Sequence, residues 1–309
     1  MRTILGRPRW FRPVVVAVFA LILVWFAVVH ETPAHSVVRS ASGRPAVPKP
    51  GQVVPSPDHV VVVMFENQGE SQIIGRRSAP YLNSLARMGA SYDHSHGVTH
   101  PSQPNYVALL SGSTQGVKND KCPDHLGPRP NLVRQLLNAG HTFSGYTEDL
   151  PTSDRPPAGH TSCSRLQRDT LARTPWIDFS NIPASVNRPF NALPADLSKL
   201  PTVSFLIPSL CHSMHSCPIS SGDAWASRVL PRFVNWARTH NSLLIVTFDE
   251  DRDTPVNHIP TILVGPMVRP GVYGQPIDHY DVLRTLEDMY ALAPLGHAKQ
   301  AAPLTCWQA

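Results

Sequence analysis

Short runs of consecutive apolar residues alternate along the chain with segments whose apolar positions recur at helical spacing. Val60–Phe65, Thr142–Tyr146, Val203–Ile207, Leu243–Phe248 and Thr261–Val264 are bounded by turn residues, which predicts strands buried on both faces. Between them, Pro80–Met88, Pro104–Ser111, Leu132–Ala139, Asp223–Thr239 and Tyr280–Leu292 read as helices. Tyr81, Leu85 and Met88 share one face ahead of Gly89, and Leu132, Val133, Leu136 and Leu137 do so between a capping Asn131 and Gly140. Pro231 has no N–H to give, so it kinks or splits the fourth helix. Alternating strands and helices without an internal repeat predict one α/β domain, with a mostly parallel central sheet and helices on both faces.

One apolar run differs from the rest. Val14–Val29 is uncharged, follows Arg2, Arg7, Arg9 and Arg12, and leads into the polar stretch His30–Ser36. A basic start and an apolar middle mark residues 1–36 as a secretory signal. The run is shorter than the roughly 20 residues of a spanning helix, which favours cleavage. Pro33-Ala34-His35 matches a cleavage site poorly, so a membrane anchor through residues 14–29 stays open. Residues 37–57, with Pro45, Pro48, Pro50, Pro55 and Pro57, predict an extended linker. The folded domain is expected over residues 58–309.

Composition narrows the class. With 42% hydrophobic and 16% charged residues, 309 residues suffice for a substantial core, and 32 prolines argue against coiled coil or helical repeats. The formal charge of +5 is concentrated in the first 36 residues, leaving 23 basic against 21 acidic side chains beyond them. So nearly neutral a body has no polyanion footprint, which argues against a nucleic-acid partner, and no obligate protein partner is evident. Five cysteines in an exported chain are disulfide candidates: Cys211 with Cys217, Cys122 with Cys163, and Cys306 left over, one pairing among several. The chain has no C-x-x-C pair to support structural zinc.

Chemistry concentrates where the strands end. Val60–Phe65 runs into Glu66-Asn67, and Leu243–Phe248 into Asp249-Glu250-Asp251. Ligand crevices of open α/β sheets lie beyond the carboxyl ends of the strands, so both acidic groups reach one crevice. Crowded carboxylates repel unless a cation or protons compensate. Glu66, Asn67, Asp249 and Glu250 therefore read as oxygen donors to a divalent metal ion of unspecified identity. Either pair alone would read as a helix cap or a solvated loop; two together favour the metal. Ser102 precedes Pro104 at a helix start, where backbone N–H groups favour an anion, and a metal or base could activate its hydroxyl as a nucleophile. A lone serine there would read as a cap. Among the junction histidines His212, His215, His258 and His279, His215 and His279 are preferred for orienting phosphate oxygens or protonating a leaving group. G-x-S-x-G, Walker A and G-x-G-x-x-G motifs are absent, as is a Ser-His-Asp order.

Phe65-Glu66-Asn67, Ala79–Leu85, His100-Pro-Ser-Gln-Pro-Asn-Tyr106, Gly222-Asp-Ala-Trp225, Thr247-Phe-Asp-Glu250, Asn257-His-Ile-Pro260 and His279-Tyr280 resemble, in order, the phosphoesterase family of bacterial acid phosphatases and phospholipases C. The resemblance implies an alkaline-phosphatase-like α/β sandwich. It implies Ser102 as covalent nucleophile and metal ligand, with Glu66, Asn67, Asp249 and Glu250 as the other ligands. His100, His215 and His279 would serve catalysis, and Asn105 and His258 would bind substrate. The family usually carries Asp-Met-His where this chain reads Cys211-His-Ser-Met-His-Ser-Cys217, with Ser213 replacing the aspartate. The expectation is a secreted, metal-dependent phosphomonoesterase working through a phosphoserine. Likeness to the family's secreted acid phosphatases adds phosphoinositide monophosphates as substrates, and acid preference rests on that likeness alone. A phospholipase C acting on diesters, and a metal-holding surface protein that has lost activity, are the alternatives; Ser213 keeps the latter open.

Overall fold

Strand β1 (His59–Phe65) is the axis of the molecule because every residue after His59 is buried. Its side chains alternate between two cores: Val60, Val62 and Met64 enter one, and Val61, Val63 and Phe65 the other. The computed structural model describes residues 53–121, 124–150 and 170–308. The expected signal 1–36, all of the linker but residues 53–57, and both Cys122 and Cys163 lie outside the described residues.

Around β1 the other strands are β2 (Ala90–Tyr92), β3 (Ser95–His96), β4 (Phe143–Thr147), β5 (Asn187–Pro189), β6 (Val203–Ile207), β7 (Ser242–Phe248), β8 (Thr261–Val264), β9 (Gly271–Tyr273) and β10 (Ile277–Asp278). Eight of these form one sheet in the order β5-β4-β6-β1-β7-β8-β2-β9, and β10 pairs with β3. β5, β4, β6, β1 and β7 run parallel to one another, whereas β8 runs antiparallel to both β7 and β2. The register aligns Phe65 with Phe248, so the acidic residues that follow emerge side by side.

Helices cover both faces. Helices α3 (Ser102–Ser111), α4 (Leu132–Asn138) and α7 (His279–Met289) supply Leu109, Leu136 and Leu283 to the first core. Helices α2 (Pro80–Met88), α5 (Ile219–Val229) and α6 (Pro231–Ala237) supply Leu85, Trp225 and Phe233 to the second. A short helix, α1 (Glu70–Ile73), follows the crevice. The five expected strands all form, within a residue of their expected ends. Pro231 splits the fourth predicted helix into α5 and α6, becoming the first residue of α6, where its missing N–H costs nothing. On α2 the buried stripe is Leu82 and Leu85, while Met88 is exposed, so this face is rotated from the one expected. Strands β2, β3, β5, β9 and β10 have only two or three residues each, too few for a periodic signal. Cys211 and Cys217 form a disulfide, and Cys306 is buried and free.

Candidate active site

The floor of the crevice is built by the backbone at two strand ends. The N–H of Asp249 donates to the carbonyl of Phe65 at 3.0 Å, and that of Glu66 to the carbonyl of Ser213 at 2.9 Å. Asn67 then turns back with φ +48°, a left-handed conformation that asparagine tolerates better than most residues. Its N–H donates to Asp249 Oδ1 at 3.0 Å and its Nδ2 to Glu250 Oε1 at 2.9 Å, tying the two strand ends together. Gly97 fits beneath because it lacks a Cβ, which would lie 2.5 Å from the side chain of Asn257 and 2.8 Å from the Asp249 carbonyl.

Ser102 comes to this floor from the opposite side. It is the first residue of α3, so the helix starts earlier than Pro104, and the N–H of Gln103 is already taken by Asp120 Oδ1 at 2.8 Å. Ser102 Oγ donates to Glu250 Oε1 at 2.9 Å and lies 3.5 Å from Glu66 Oε2. The other oxygen of Glu66 accepts from the Tyr106 hydroxyl and pairs with Arg173 Nε at 2.5 Å. Glu66, Asn67, Ser102, Asp249 and Glu250 are thus brought into one cluster, all buried but Asn67, which is half-buried.

Electrostatics explains what such a cluster requires. Burial, reinforced by Glu66 and Glu250, pushes Asp249 well above the usual carboxylate range. Burial pushes Glu250 up to about 6, against the pull of its bonds from Ser102 and His100. Burial also drives the Tyr106 phenol well above its ordinary value, keeping it a neutral donor to Glu66. Burial works against the charge of Arg173, but Glu66 outweighs it and raises the guanidinium further. Among the described residues the buried oxygens Asn67 Oδ1 and Asp249 Oδ2 have no hydrogen-bond partner. A buried acceptor is rarely left without a donor or a cation, and amide, hydroxyl and carboxylate oxygens are the ligands of a hard divalent ion. The donor set could hold one, but no three described His, Cys, Asp or Glu side chains form a metal cage on their own. The amide and hydroxyl oxygens would have to contribute.

The histidines divide by position. His100 contacts Glu250 Oε2 through Nδ1 at 2.6 Å and donates from Nε2 to the Thr254 carbonyl at 3.0 Å. Burial lowers its pKa, but the Thr254 carbonyl, Glu250 and Asp251 together leave it raised. His279 is buried, which lowers its pKa, and its Nε2 carries the proton donated to the Asp249 carbonyl at 2.8 Å. His215 is exposed on the rim of the cleft. His258 is not among the residues lining that cleft; its Nε2 meets the Asp93 carbonyl at 2.8 Å and its ring stacks on His96. Asn105 is fully engaged with backbone, accepting from Val98 and Thr99 and donating to the carbonyls of Thr99 and Pro101. It shapes the loop that carries His100, and no polar atom of its side chain is left over for substrate. Ser213 turns its hydroxyl to the Leu210 carbonyl at 3.2 Å.

Sequence reasoning missed Tyr106 and Arg173, which hold Glu66, and Gln68, Asp120, Arg252 and Asp253, which line the cleft of about 660 Å³ with Asn67, His100, Ser102, His215 and Glu250. Tyr106 stood inside a quoted motif; Arg173 had no signal.

The chain is 46% identical over 265 residues to a phosphatidylinositol-3-phosphatase of Mycobacterium tuberculosis, covering 84% of this chain and 87% of that protein. It is 29% identical over 231 residues to a phosphate-repressible acid phosphatase of Penicillium chrysogenum, covering 70% of this chain and 55% of that one. A solved protein of the alkaline phosphatase superfamily from Vibrio parahaemolyticus has the same fold, with a TM-score of 0.59 at 16% identity, covering 84% of this chain and 72% of that one. Residues 65–293 match the Phosphoesterase family. The chain belongs to that family, and it is a hydrolase of phosphate esters.

Proposed function

We propose that the protein is a metal-dependent phosphomonoesterase in which Ser102 is the nucleophile and a phosphoinositide monophosphate is the substrate class. The observation that carries this reading is the Ser102 hydroxyl, 2.9 Å from Glu250 and 3.5 Å from Glu66, in the floor of an open cleft. The substrate class is argued from the phosphatidylinositol-3-phosphatase relative at 46% identity.

The chemistry follows from the hydrogen bonds. As Ser102 Oγ bonds to phosphorus, its proton passes to Glu250, whose other oxygen is steadied by His100 at 2.6 Å. The ester P–O bond breaks on the far side, and we assign protonation of the departing oxygen to His215 on the rim. Water then attacks the phosphoserine, releasing phosphate and returning a proton to Ser102. Glu66, Asn67, Ser102, Asp249 and Glu250 would hold the divalent ion. That ion, when bound, would offset their negative charge and that of the phosphoryl oxygens. Tyr106 and Arg173 occupy one oxygen of Glu66, so only the other faces Ser102.

A diesterase of the phospholipase C type is less well supported, because among the described residues Pro101 is the one apolar residue lining the cleft, which offers acyl chains little apolar wall. A disulfide supports an extracytoplasmic location. Among the described residues no helix is long and apolar enough to cross a membrane.

Ser102→Ala tests the reading. Phosphate release from p-nitrophenyl phosphate and from short-chain phosphatidylinositol 3-phosphate should fall by several orders of magnitude, with the melting temperature preserved. Undiminished turnover would overturn the assignment, and faster hydrolysis of phosphatidylcholine than of either monoester would favour the diesterase.

A further inference from the structure

Among the described residues one arginine, Arg252, lines the cleft, and the residue that steadies it is buried. Arg252 Nε donates to Gln68 Oε1 at 3.1 Å, and Gln68 Nε2 donates to the Met214 carbonyl at 3.1 Å. Gln68 is 1% exposed. An amide engaged at both ends and shut away from water is a bracket, and it fixes the stem of an otherwise exposed side chain. Arg252 makes no ion pair among the described residues. With Nε anchored, the two terminal nitrogens keep the planar fork of donors that suits phosphate oxygens.

Of the three acids sharing this lining, Glu250 is bonded to Ser102 and His100, Asp120 accepts the Gln103 N–H, and Asp253, whose side chain is 92% exposed, lies 4.0 Å from His100. The reacting phosphoryl group belongs at Ser102 on the floor, and a cleft of about 660 Å³ has room for a substrate well beyond one phosphate.

We propose that Arg252, braced by Gln68, binds a second anionic group of the substrate, distinct from the phosphoryl group that is transferred. The ligand class is a phosphate monoester carrying another phosphate or phosphodiester on the same small polar ring. This rests on Ser102 being the nucleophile, because that fixes which phosphate occupies the floor.

The test compares the full chain with Arg252→Gln and Arg252→Lys. Three substrates are used: p-nitrophenyl phosphate with one anionic group, inositol 1,3-bisphosphate with a second anion and no lipid, and short-chain phosphatidylinositol 3-phosphate with both. A charged hydrogen bond lost in Arg252→Gln should raise the KM of each two-anion substrate, relative to that of p-nitrophenyl phosphate, by about 10- to 100-fold. The kcat ratio should hold, and Arg252→Lys should recover part of the loss. An unchanged KM ratio would sink the proposal, as would equal losses on all three substrates. A shift confined to the lipid substrate would also overturn it, because the second anion alone would then not be what is recognised. Ser102→Ala run alongside separates the two claims: activity surviving there removes the nucleophile assignment, whatever Arg252→Gln does to the ratio.

Discussion

Glu66 is held on three sides, by Tyr106, Arg173 and Ser102, and is fully buried. A buried carboxylate that loses a close cationic partner keeps the desolvation cost without that attraction. Arg173→Met should therefore destabilise the protein by about 3–5 kcal/mol, read as a lower urea midpoint with an unchanged slope. Adding Glu66→Gln to that variant should restore a good part of the loss, and no restoration would mean that Arg173 acts through packing alone. Residue identities at strand ends were legible because a run of apolar residues stopping at a charge is itself a signal. Glu66, Asn67, Asp249 and Glu250 were found that way, and Ser102 through Pro104 at its helix start. Arg173 sits in an irregular segment whose partner is far off in the chain, so no local pattern could point to it. His258 and Asn105 carried the right chemistry, but their side chains are committed to backbone carbonyls and N–H groups, which only the fold determines.

At the scale of elements, Asp223 of α5 joins two of the three helices that cover the second core, α5 and α2. Its carboxylate accepts the N–H groups of Tyr81 and Leu82 at 3.0 and 2.9 Å, capping α2 from a neighbouring helix. Gly222 beside it allows close approach, since a Cβ there would lie 2.4 Å from Met214 and 2.7 Å from the His212 carbonyl. Asp223→Ala should lower stability by about 1–2 kcal/mol, with Asp223→Asn losing less; equal losses in a denaturant titration would show that charge matters more than the acceptor. Strands and helix centres could be read because apolar spacing is local. The start of α3 could not, because the N–H of Gln103 is satisfied by Asp120, which the spacing does not reveal. Gly222-Asp-Ala-Trp225 is among the motifs shared with the phosphoesterase family, and in the fold Asp223 caps α2 while Trp225 packs edge-on against Phe65.

For the whole molecule, stability is tied to pH through Glu287 on α7, which is fully buried. Its Oε1 accepts the Leu295 N–H at 2.8 Å, while burial pushes the carboxyl up to about 8. The unfolded chain releases that proton near the ordinary glutamate value of about 4.3, so between there and pH 8 the native state binds one proton more. Stability gained by keeping the acid protonated is therefore complete below about pH 4 and lost as the pH rises towards 8, by up to about 1.4 kcal/mol per unit. Glu287→Gln should flatten this dependence, and melting curves at pH 5 and pH 7.5 that differ as much as in the parent would refute it. The α/β class and the layering of helices were legible as a rhythm, but the antiparallel course of β8 and the short edge strands were not, since pairing partners are settled by tertiary contacts. The in-register ends of β1 and β7 carry a last consequence. Because successive side chains on a strand point to opposite faces, a slip of one residue between these two would turn Phe65 or Phe248 out of its core as it misaligned the acids beyond. An insertion or deletion in either of these two central strands would therefore cost a core side chain and the alignment of the site at once.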